Sequence, residues 1–219
     1  MNNGFITFEG GEGTGKSTQC RLLADRLVQR GYKVVVTREP GGSPGAEAIR
    51  HVLLSGAAQP LGPDAEALLF AAARDDHLRT TIRPALASGA WVICDRFADS
   101  TRVYQGAAGK VSPQIIDGLE RIVVGPTRPN LTCILDLPPD VGLARAATRR
   151  GTDSVDRFEG EAIEFHERLR KAYRALATRD PQRCVVVDAK GDPKSVSDLV
   201  WAIVSSRFAF GVPTAGAAR

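Results

Sequence analysis

A glycine-rich stretch near the amino terminus, Gly10 to Thr18, has the residue types and spacing of a phosphate-binding loop. It fits the pattern G-x-x-x-x-G-K-[ST], with Gly10, Gly15, Lys16 and Ser17 at the fixed positions. Glycines let the backbone fold so that successive N–H groups point at phosphate oxygens. The lysine would reach the β- and γ-phosphates of a nucleotide, and the serine hydroxyl would ligate Mg²⁺. The predicted ATP-binding residues are Gly10, Gly11, Glu12, Gly13, Thr14, Gly15, Lys16, Ser17 and Thr18.

Charged residues at the ends of two further apolar runs add a metal ligand and a second phosphate-binding position. The run Trp91 to Cys94 leads into Asp95 and Arg96, and another short run leads into Arg38. Asp95 would hold Mg²⁺ directly or through water, and a helix cap or a structural ion pair is the alternative for that carboxylate. Arg96 and Arg38 would bind a phosphate. Two such arginines favour phosphoryl transfer to an already phosphorylated acceptor over simple ATP hydrolysis.

Two groups of residues have the chemistry to recognise a base and a sugar. Phe70 and Arg74 lie four residues apart on a predicted helix and share one face. The ring would stack on a base and the guanidinium would donate to carbonyl oxygens, although an aromatic on such a helix more often belongs to the core. The segment Ser100 to Gly106 carries hydroxyl, phenol and amide groups. That segment suits sugar and base recognition, and it equally suits an ordinary amphipathic turn.

Arginines become frequent between residues 145 and 158, where Gly151 interrupts a helical pattern. The arginines of this segment are Arg145, Arg149, Arg150 and Arg157. Most charge runs are solvated helix–loop–helix segments. The alternative is a mobile lid that closes over ATP, excludes water and brings arginine charge onto the transferring phosphoryl group.

Five apolar runs, separated by helical patterns, must position these residues. The runs end at charged side chains, namely Glu9, Arg38, Asp95, Asp136 and Asp188. Helices are predicted after the glycine-rich loop and over residues 44–54, 63–78, 113–124, 140–149, 157–178 and 193–207, with Ser43, Ser112 and Asp192 as caps. This alternation predicts an α/β P-loop NTPase fold, a parallel sheet of about five strands flanked by helices. Ligands bind at the carboxyl ends of such strands. We expect one domain over residues 1–208, a small helical lid at about 145–158, and a flexible tail over 209–219.

The composition limits the class of protein. The chain has 219 residues, of which 43% are hydrophobic, enough for one α/β domain with a sizeable core. With 29 basic and 25 acidic residues, the net charge of +4 is too small to indicate a nucleic-acid partner. Cys20, Cys94, Cys133 and Cys184 have no C-x-x-C spacing, which predicts buried thiols in a reducing compartment. No signal peptide or membrane-spanning stretch is visible, so we expect a cytoplasmic protein without a membrane partner.

Four segments, taken together, resemble the bacterial thymidylate kinase family. They are Phe8 to Thr18, Thr37 to Gly42, Leu69 to His77, and Asp95-Arg96-Phe97 continuing to Tyr104-Gln105-Gly106. The resemblance spans roughly residues 5–188. It implies transfer of the γ-phosphoryl group of ATP to dTMP, giving dTDP for dTTP synthesis, in a Mg²⁺-dependent reaction. It also implies a homodimer.

The resemblance assigns the acceptor site residue by residue. It implies that Arg38 and Arg96 hold the dTMP phosphate. Phe70 would stack on thymine, and Arg74 would bind an exocyclic oxygen of the base. The remaining residues of the implied base site are Ser100, Thr101 and Gln105.

The resemblance also assigns the sugar contacts and the catalytic charge. Tyr104 would crowd the ribose 2′ position and favour deoxyribose, and Glu12 would meet the 3′-hydroxyl. The family divides by the position of its catalytic arginine, and Gly13 stands where one type has that arginine. The lid would therefore supply it, from either Arg149 or Arg150. The predicted catalytic residues are Lys16, Asp95, Arg96, Arg149 and Arg150.

Two other functions remain open from the residues. Another nucleoside monophosphate kinase or a deoxynucleoside kinase would use the same phosphate-binding loop. A P-loop regulatory ATPase is the alternative from a different class; a GTPase would require an N-K-x-D motif, which the sequence lacks.

Overall fold

A five-stranded parallel sheet forms the centre of the fold. The computed structural model describes residues 3–150 and 158–210, except the side chain of Arg150. The strands are β1 (Phe5–Glu9), β2 (Val34–Arg38), β3 (Trp91–Asp95), β4 (Leu131–Asp136) and β5 (Cys184–Asp188). Their order is β2-β3-β1-β4-β5, and every pairing is parallel. This confirms the predicted α/β fold class.

Nine helices connect and flank the strands within the described residues. They are α1 (Lys16–Val28), α2 (Pro44–Leu54), α3 (Pro63–His77), α4 (Arg83–Ala87), α5 (Ala98–Thr101), α6 (Pro113–Val123), α7 (Pro139–Arg150), α8 (Ile163–Arg179) and α9 (Pro193–Arg207). A short 3₁₀ turn covers Gln59–Leu61, and π-helical segments cover Leu78–Ile82 and Arg102–Ala108. Parallel strands require such crossovers, because a tight hairpin can join only antiparallel neighbours.

The strand order creates a crevice at the carboxyl end of β1. β1 lies between β3 and β4, so the chain leaves β1 towards one half of the sheet and later returns to build the other half. In open parallel sheets, ligands bind where the order reverses in this way. The register places Arg38 beside Asp95, and Asp95 beside Phe8, at this same edge.

Side chains of β1 alternate between two packed layers. Ile6 and Phe8 pack with α1 and α9 in the largest apolar cluster, whereas Phe5 packs with residues preceding and following β3. Thr7 lies on the same side as Phe5 and shares a 2.8 Å hydrogen bond with Thr132 of β4. Full burial of one such large apolar side chain contributes about 1.5–3 kcal/mol. This alternation also turns Glu9 away from α1, towards α5 and α8.

The helices of the structure differ from the predicted ones at three places. The helix predicted through Leu78 becomes π-helical over Leu78–Ile82, because Pro84 lacks an N–H and its ring needs space against the preceding turn. The helix predicted from Arg157 begins at Ile163, after a turn at 158–160. Residues 100–106, for which the sequence leaves an ordinary turn open, are helical and belong to α5 and the π-helical segment after it.

One predicted helix cap is wrong. Ser43 precedes α2, but its hydroxyl donates to Asp76 at 2.7 Å and does not bond to an N–H of the first turn. Ser112 does accept from the N–H of Ile115. Asp192 likewise accepts from the first N–H groups of α9. The competing carboxylate on α3 explains why Ser43 differs from the other two.

The remaining features of the fold concern cysteines, the chain end and membranes. All four cysteines are buried and free, as predicted. Phe208 and Phe210 pack on Trp91, so the chain stays against the core for three residues beyond α9. The rest of the predicted tail, residues 211–219, lies outside the described residues. No helix within the described ranges is long and apolar enough to cross a bilayer.

Candidate active site

The P-loop joins β1 to α1 and forms one wall of a cleft. Gly10, Gly13 and Gly15 have φ values of +135°, +65° and +93°, a backbone region that other residues rarely adopt. Helix α1 begins at Lys16, so the positive end of its dipole faces the loop. The Lys16 ammonium donates to the carbonyl oxygens of Gly10 at 3.2 Å and Gly11 at 2.7 Å. Burial lowers the pKa of Lys16.

The cleft has a volume of about 310 Å³ and gathers most of the predicted site residues. Those that line it are Glu12, Gly13, Gly15, Lys16, Ser17, Thr18, Arg38, Phe70, Arg74, Asp95, Arg96, Ser100, Thr101, Tyr104, Gln105 and Arg149. Gly10, Gly11 and Thr14 line a separate cavity of about 20 Å³ behind the loop. The P-loop, the ends of β2 and β3, α3, α5 and α7 therefore meet around one space.

A hydroxyl and a carboxylate stand side by side at the start of α1. The Ser17 hydroxyl donates to Asp95 at 2.5 Å, and both residues line the cleft. Oxygen ligands of this kind suit Mg²⁺, which keeps several waters and binds through one or two protein groups plus substrate phosphates. Within the described residues, no group of three or more histidines, cysteines or carboxylates could hold a metal ion. The donor set therefore fits Mg²⁺ held jointly with a nucleotide.

Arg96 is fixed rigidly at the base of the cleft. Its φ is +68°, an uncommon value for a residue with a side chain. Its guanidinium donates to Glu12 at 2.5 Å and to the Gly10 carbonyl at 3.2 Å, and it lies 4.9 Å from the centre of the Tyr104 ring. Burial by itself would lower the pKa of Arg96, but Tyr104 and Glu12 hold it well above its ordinary value.

Glu12 is the carboxylate partner of this arginine. Burial alone would raise its pKa, but Arg96 and Lys16 outweigh that effect and lower it to about 2. The Tyr104 hydroxyl donates to the same carboxylate at 2.9 Å. A carboxylate kept ionised within the P-loop can accept a hydrogen bond from a substrate hydroxyl.

Arg38 lies nearer the mouth of the cleft, and its guanidinium contacts Glu47 of α2. Its guanidinium donates to both carboxylate oxygens of Glu47, at 3.0 and 3.2 Å, and its side chain is 53% exposed. Arg38 and Arg96 line the same cleft, as the sequence predicts, but Arg38 is turned towards α2. An exposed ion pair of this kind contributes little, about 0–1 kcal/mol, so an incoming phosphate can compete for Arg38.

Arg74 and Phe70 line the cleft from α3. Phe70 is half-buried there, which favours the base-facing interpretation over the core one. Arg74 is buried, and its Nε donates to Glu39 at 2.7 Å. Its Nη2 donates to the Phe97 carbonyl at 3.2 Å and to Thr101 at 3.1 Å. The guanidinium plane is therefore held from two sides.

Residues after β3 complete the wall opposite α3. Ser100 donates to Glu9 at 2.6 Å, and Thr101 accepts from Arg74. Gln105 is buried and lines the cleft. The polar side chains of this segment thus face the cleft or the groups that shape it, rather than solvent.

Glu9 is a buried carboxyl group beneath this wall. It accepts from the backbone N–H of Phe97 at 2.8 Å and from the hydroxyls of Ser100 and Tyr173, at 2.6 and 2.9 Å. Burial, together with the charge of Asp99, raises the pKa of Glu9 to about 7. Glu9 therefore joins β1, α5 and α8 directly behind the cleft.

Helix α7, the start of the predicted lid, rests on the P-loop. A Cβ on Gly13 would overlap the carbonyl oxygen of Gly142, and a Cβ on Gly142 would overlap the carbonyl of Glu12. An arginine at position 13 therefore has no room in this arrangement. At the far end of α7, Arg149 lines the cleft, with its guanidinium 3.7 Å from Glu159.

Arg145, grouped by sequence with the lid arginines, has a different task. It donates to the carbonyl oxygens of Ala189 and Lys190, at 2.9 Å each, and so ties α7 to the loop after β5. In the described part of the chain Arg145 therefore supports α7 and is not among the residues that line the cleft. The side chain of Arg150 and residues 151–157 lie outside the described residues.

Several residues that shape the cleft have no role that their type or spacing predicts. Glu39 and His77 stand inside the segments 37–42 and 69–77, but nothing in their types or spacing indicates that they pair with each other. Tyr173 comes from α8, more than 70 residues beyond Ser100, and no local pattern indicates its contact. The spacing of three residues between Arg74 and His77 on α3 places both on one helix face, and this spacing could have indicated that they share a partner.

The fold and the cleft together define the class of P-loop nucleotide kinases. A P-loop stands at the switch point of a parallel sheet, and Arg38 and Arg96 line the same cleft as its residues Glu12, Lys16 and Ser17. Comparison with known proteins narrows the class. A family model described as thymidylate kinase matches residues 8–200. The chain belongs to the thymidylate kinase family.

Individual relatives agree with this assignment. The chain is 62% identical over 203 residues to the thymidylate kinase of Nitrobacter winogradskyi, covering 93% of this chain and 88% of that one. It is 59% identical over 204 residues to that of Rhodopseudomonas palustris, covering 93% and 89%. The crystal structure of thymidylate kinase from Ehrlichia chaffeensis superposes with a TM-score of 0.75 at 34% identity, covering 92% of this chain and 98% of the other.

Proposed function

We propose that this cleft transfers the γ-phosphoryl group of ATP to dTMP and releases dTDP, which leads to dTTP. The observation that carries the proposal is the meeting of two anion-binding groups in one cleft. Lys16 and the start of α1 form one, and Arg96 forms the other, with the Ser17–Asp95 pair in the same lining. Two phosphate sites in one cavity suit transfer between a nucleotide and a phosphorylated acceptor.

The acceptor phosphate is assigned to Arg96 and Arg38. Arg96 is already oriented by Glu12 and the Gly10 carbonyl, so little freedom is lost when it binds an anion. Arg38 would exchange its exposed contact with Glu47 for the phosphate. Arginine suits this task because its planar fork can bind two phosphate oxygens at once.

The thymine base is assigned to the pocket between α3 and α5. Phe70 offers a half-buried ring for stacking, and Arg74 a buried guanidinium for an exocyclic oxygen. The other polar groups assigned to the base are Ser100, Thr101 and Gln105. Cytosine has an amino group in place of the exocyclic oxygen, and this donor would face the N–H donors of Arg74 without forming a hydrogen bond. Arg74 would therefore favour thymine over cytosine.

The deoxyribose is assigned to the space between the P-loop and the segment after β3. The Glu12 carboxylate would accept from the 3′-hydroxyl, since its lowered pKa keeps it ionised at neutral pH. Tyr104 donates to that carboxylate, and its ring is assigned to the 2′ side of the sugar, where it would crowd a 2′-hydroxyl. The same contact that orients Glu12 would thus select deoxyribose.

The charge that develops during transfer is assigned to Lys16 and to a lid arginine, either Arg149 or Arg150. Arg149 already lines the cleft. Positive charge placed where negative charge grows lowers the barrier, and a closed lid keeps water from competing as acceptor. Mg²⁺, held by Ser17 and Asp95 with the ATP phosphates, would neutralise charge on the phosphoryl oxygens.

A homodimer and a cytoplasmic location complete the proposal. Aliphatic side chains stand exposed on neighbouring helices, with Leu68 of α3 56% and Ile122 of α6 78% accessible. Helices α3 and α6 pack together, so these side chains can belong to one surface that a second copy would cover. Four buried free thiols suit a reducing compartment such as the cytoplasm.

An acceptor assay tests the proposal. ADP release with ATP and Mg²⁺ is measured for dTMP, dUMP, dCMP and thymidine, and dTMP should give the highest kcat/KM. If dCMP matched dTMP, the chain would be a broader monophosphate kinase, and if thymidine matched it, a deoxynucleoside kinase. ATP binding without acceptor-dependent ADP release would point to a regulatory ATPase.

A further inference from the structure

A buried histidine connects β2 to the proposed base site. His77, the last residue of α3, has no accessible surface. Its Nδ1 lies 3.0 Å from Oε1 of Glu39, and its Nε2 lies 2.7 Å from the hydroxyl of Thr37. The other oxygen of Glu39, Oε2, accepts from Nε of Arg74 at 2.7 Å. One carboxylate is thus held between a histidine and an arginine three residues apart on the same helix.

We propose that His77 is a positioning residue, which fixes the Glu39 carboxylate and through it the guanidinium of Arg74. This inference rests on the proposed function, in which Arg74 recognises the thymine base. The partners define the tautomer: Nδ1–H donates to the carboxylate, and Nε2 accepts from the Thr37 hydroxyl. Histidine rather than an aliphatic residue is needed because Glu39 is itself buried and its oxygens require donors.

Arg74 depends on this arrangement for its orientation. Its Nε and Nη2 are used by Glu39, Phe97 and Thr101. Among the described residues, Nη1 makes no hydrogen bond and is left to meet a ligand in the cleft. A carboxylate free to rotate would let the guanidinium plane turn about its Nε contact, and Nη1 would no longer aim at one point.

The turn after β2 encloses the histidine from the opposite side. Gly42 has a φ of +83°, and a Cβ there would overlap the imidazole Nε2. The Gly42 carbonyl accepts from Thr81, in the π-helical segment that follows α3. Since the ring is packed on both sides, His77 cannot swing away from Glu39 without moving this turn. The motif residues 37–42 and 69–77 therefore act together as one support.

Two near-isosteric variants separate positioning from packing. In His77→Asn, the side-chain amide can replace Nδ1 and still donate to Glu39, but the Thr37 contact is lost. In His77→Gln, the longer amide can reach Thr37 at the Nε2 position, and the Glu39 contact is lost. Thr37→Val, which removes only the hydroxyl, is the matched control. Arg74→Ala is measured in parallel as the reference for loss of the base contact.

The two histidine variants should differ in their KM for dTMP rather than in their stability. His77→Gln should raise the KM for dTMP about ten-fold or more, as for the loss of a hydrogen bond to a charged group, and should reduce the preference for dTMP over dCMP. Its kcat at saturating dTMP and its KM for ATP should stay within about two-fold of wild type. His77→Asn and Thr37→Val should keep the dTMP KM within about two-fold.

Several outcomes would overturn the inference. If His77→Asn and His77→Gln raised the KM equally, or neither did while Arg74→Ala did, His77 would be a packing residue only. If Arg74→Ala left the KM unchanged, the proposed base site itself would fail, and the role of His77 with it.

The wild-type protein offers a second test should the glutamine variant not fold. The chain has three histidines, so a ¹⁵N-correlated spectrum of the imidazole groups contains few signals and that of His77 can be assigned. The inference requires a proton on Nδ1 of His77, and an Nε2-only tautomer would contradict it.

Discussion

Replacing Glu9 by glutamine should remove a specific pH dependence of stability. Glu9 is buried behind the cleft, where burial and Asp99 raise its pKa from the ordinary 4.5 to about 7, although hydrogen bonds from Ser100 and Phe97 oppose the rise. Glutamine has the same shape. Its oxygen can accept from the Phe97 N–H, and its amide can donate to the hydroxyls of Ser100 and Tyr173, which rotate to accept.

The magnitude follows from proton linkage. Between pH 4.5 and about 7 the folded protein holds a proton on Glu9 that the unfolded chain has released, so the unfolding free energy falls as pH rises. One pKa unit corresponds to about 1.4 kcal/mol, and the full rise therefore amounts to about 3 kcal/mol. The stabilisation is fully present below pH 4.5 and is lost once the pH exceeds about 7. In Glu9→Gln this contribution is absent at every pH.

Denaturant unfolding, followed by the fluorescence of Trp91 and Trp201, measures the effect. The unfolding free energy of Glu9→Gln relative to wild type should increase by about 2.5 kcal/mol between pH 5 and pH 8. Glu47→Gln is the control with the opposite sign. Hydrogen bonding from the Gly42 N–H lowers the pKa of Glu47, so its contribution changes only below pH 4.5. Parallel curves for wild type and Glu9→Gln over pH 5–8 would refute the assignment of a raised pKa to Glu9.

Three further predictions concern catalysis. Lys16→Ala should reduce kcat by about 10³-fold or more, because it deletes a charge directed at the phosphoryl oxygens; a near-normal kcat in steady-state assays would remove Lys16 from that role. Arg149→Ala and Arg150→Ala should differ in kcat, with the arginine that reaches the phosphates costing about 10³-fold or more, as an arginine finger does. If neither variant lost activity, the lid would not supply the catalytic charge. Arg74→Ala should raise the KM for dTMP about 10- to 100-fold while leaving the KM for ATP near wild type; equal effects on both substrates would argue for a general structural role.

The fold could be predicted because local patterns determine it. Apolar runs of three to five residues, each ending in a charged residue and separated by helical patterns, are typical of strands in a parallel sheet. The P-loop then fixes β1, and Asp95 follows as the residue at the end of the adjacent strand. A capping residue followed by proline, such as Asp192-Pro193, identifies the first residue of a helix. Proline is favoured at the first helical position and the cap directly precedes it, as observed at the start of α9.

Contacts between distant elements could not be predicted in the same way. Asp136 ends a strand as Asp95 does, yet it pairs with Arg170 and Arg174 of α8 instead of facing the cleft. Asp136 therefore forms a structural ion pair with α8. Glu39 and Tyr173 contribute to the site through partners more than 30 residues away, and no spacing rule connects them.

The side chain of Arg38 shows a further limit of sequence reasoning. Its position at the end of β2 follows from the apolar run before it, but its direction does not. It turns to Glu47 of α2, with which its guanidinium forms an ion pair at 3.0 Å. Residue type and strand position thus predicted which groups line the cleft, whereas the partners that orient each group depended on packing.

The most direct measurement of the central claim is ADP release with dTMP and thymidine as alternative acceptors, in wild type and in Arg96→Lys. Wild type should strongly prefer dTMP, because the proposal assigns the acceptor phosphate to Arg96. The variant should lose that preference mainly through a higher dTMP KM, since lysine keeps the charge but not the bidentate fork. Equal use of thymidine and dTMP by wild type, or an unchanged dTMP preference in the variant, would contradict a cleft built from two facing phosphate sites.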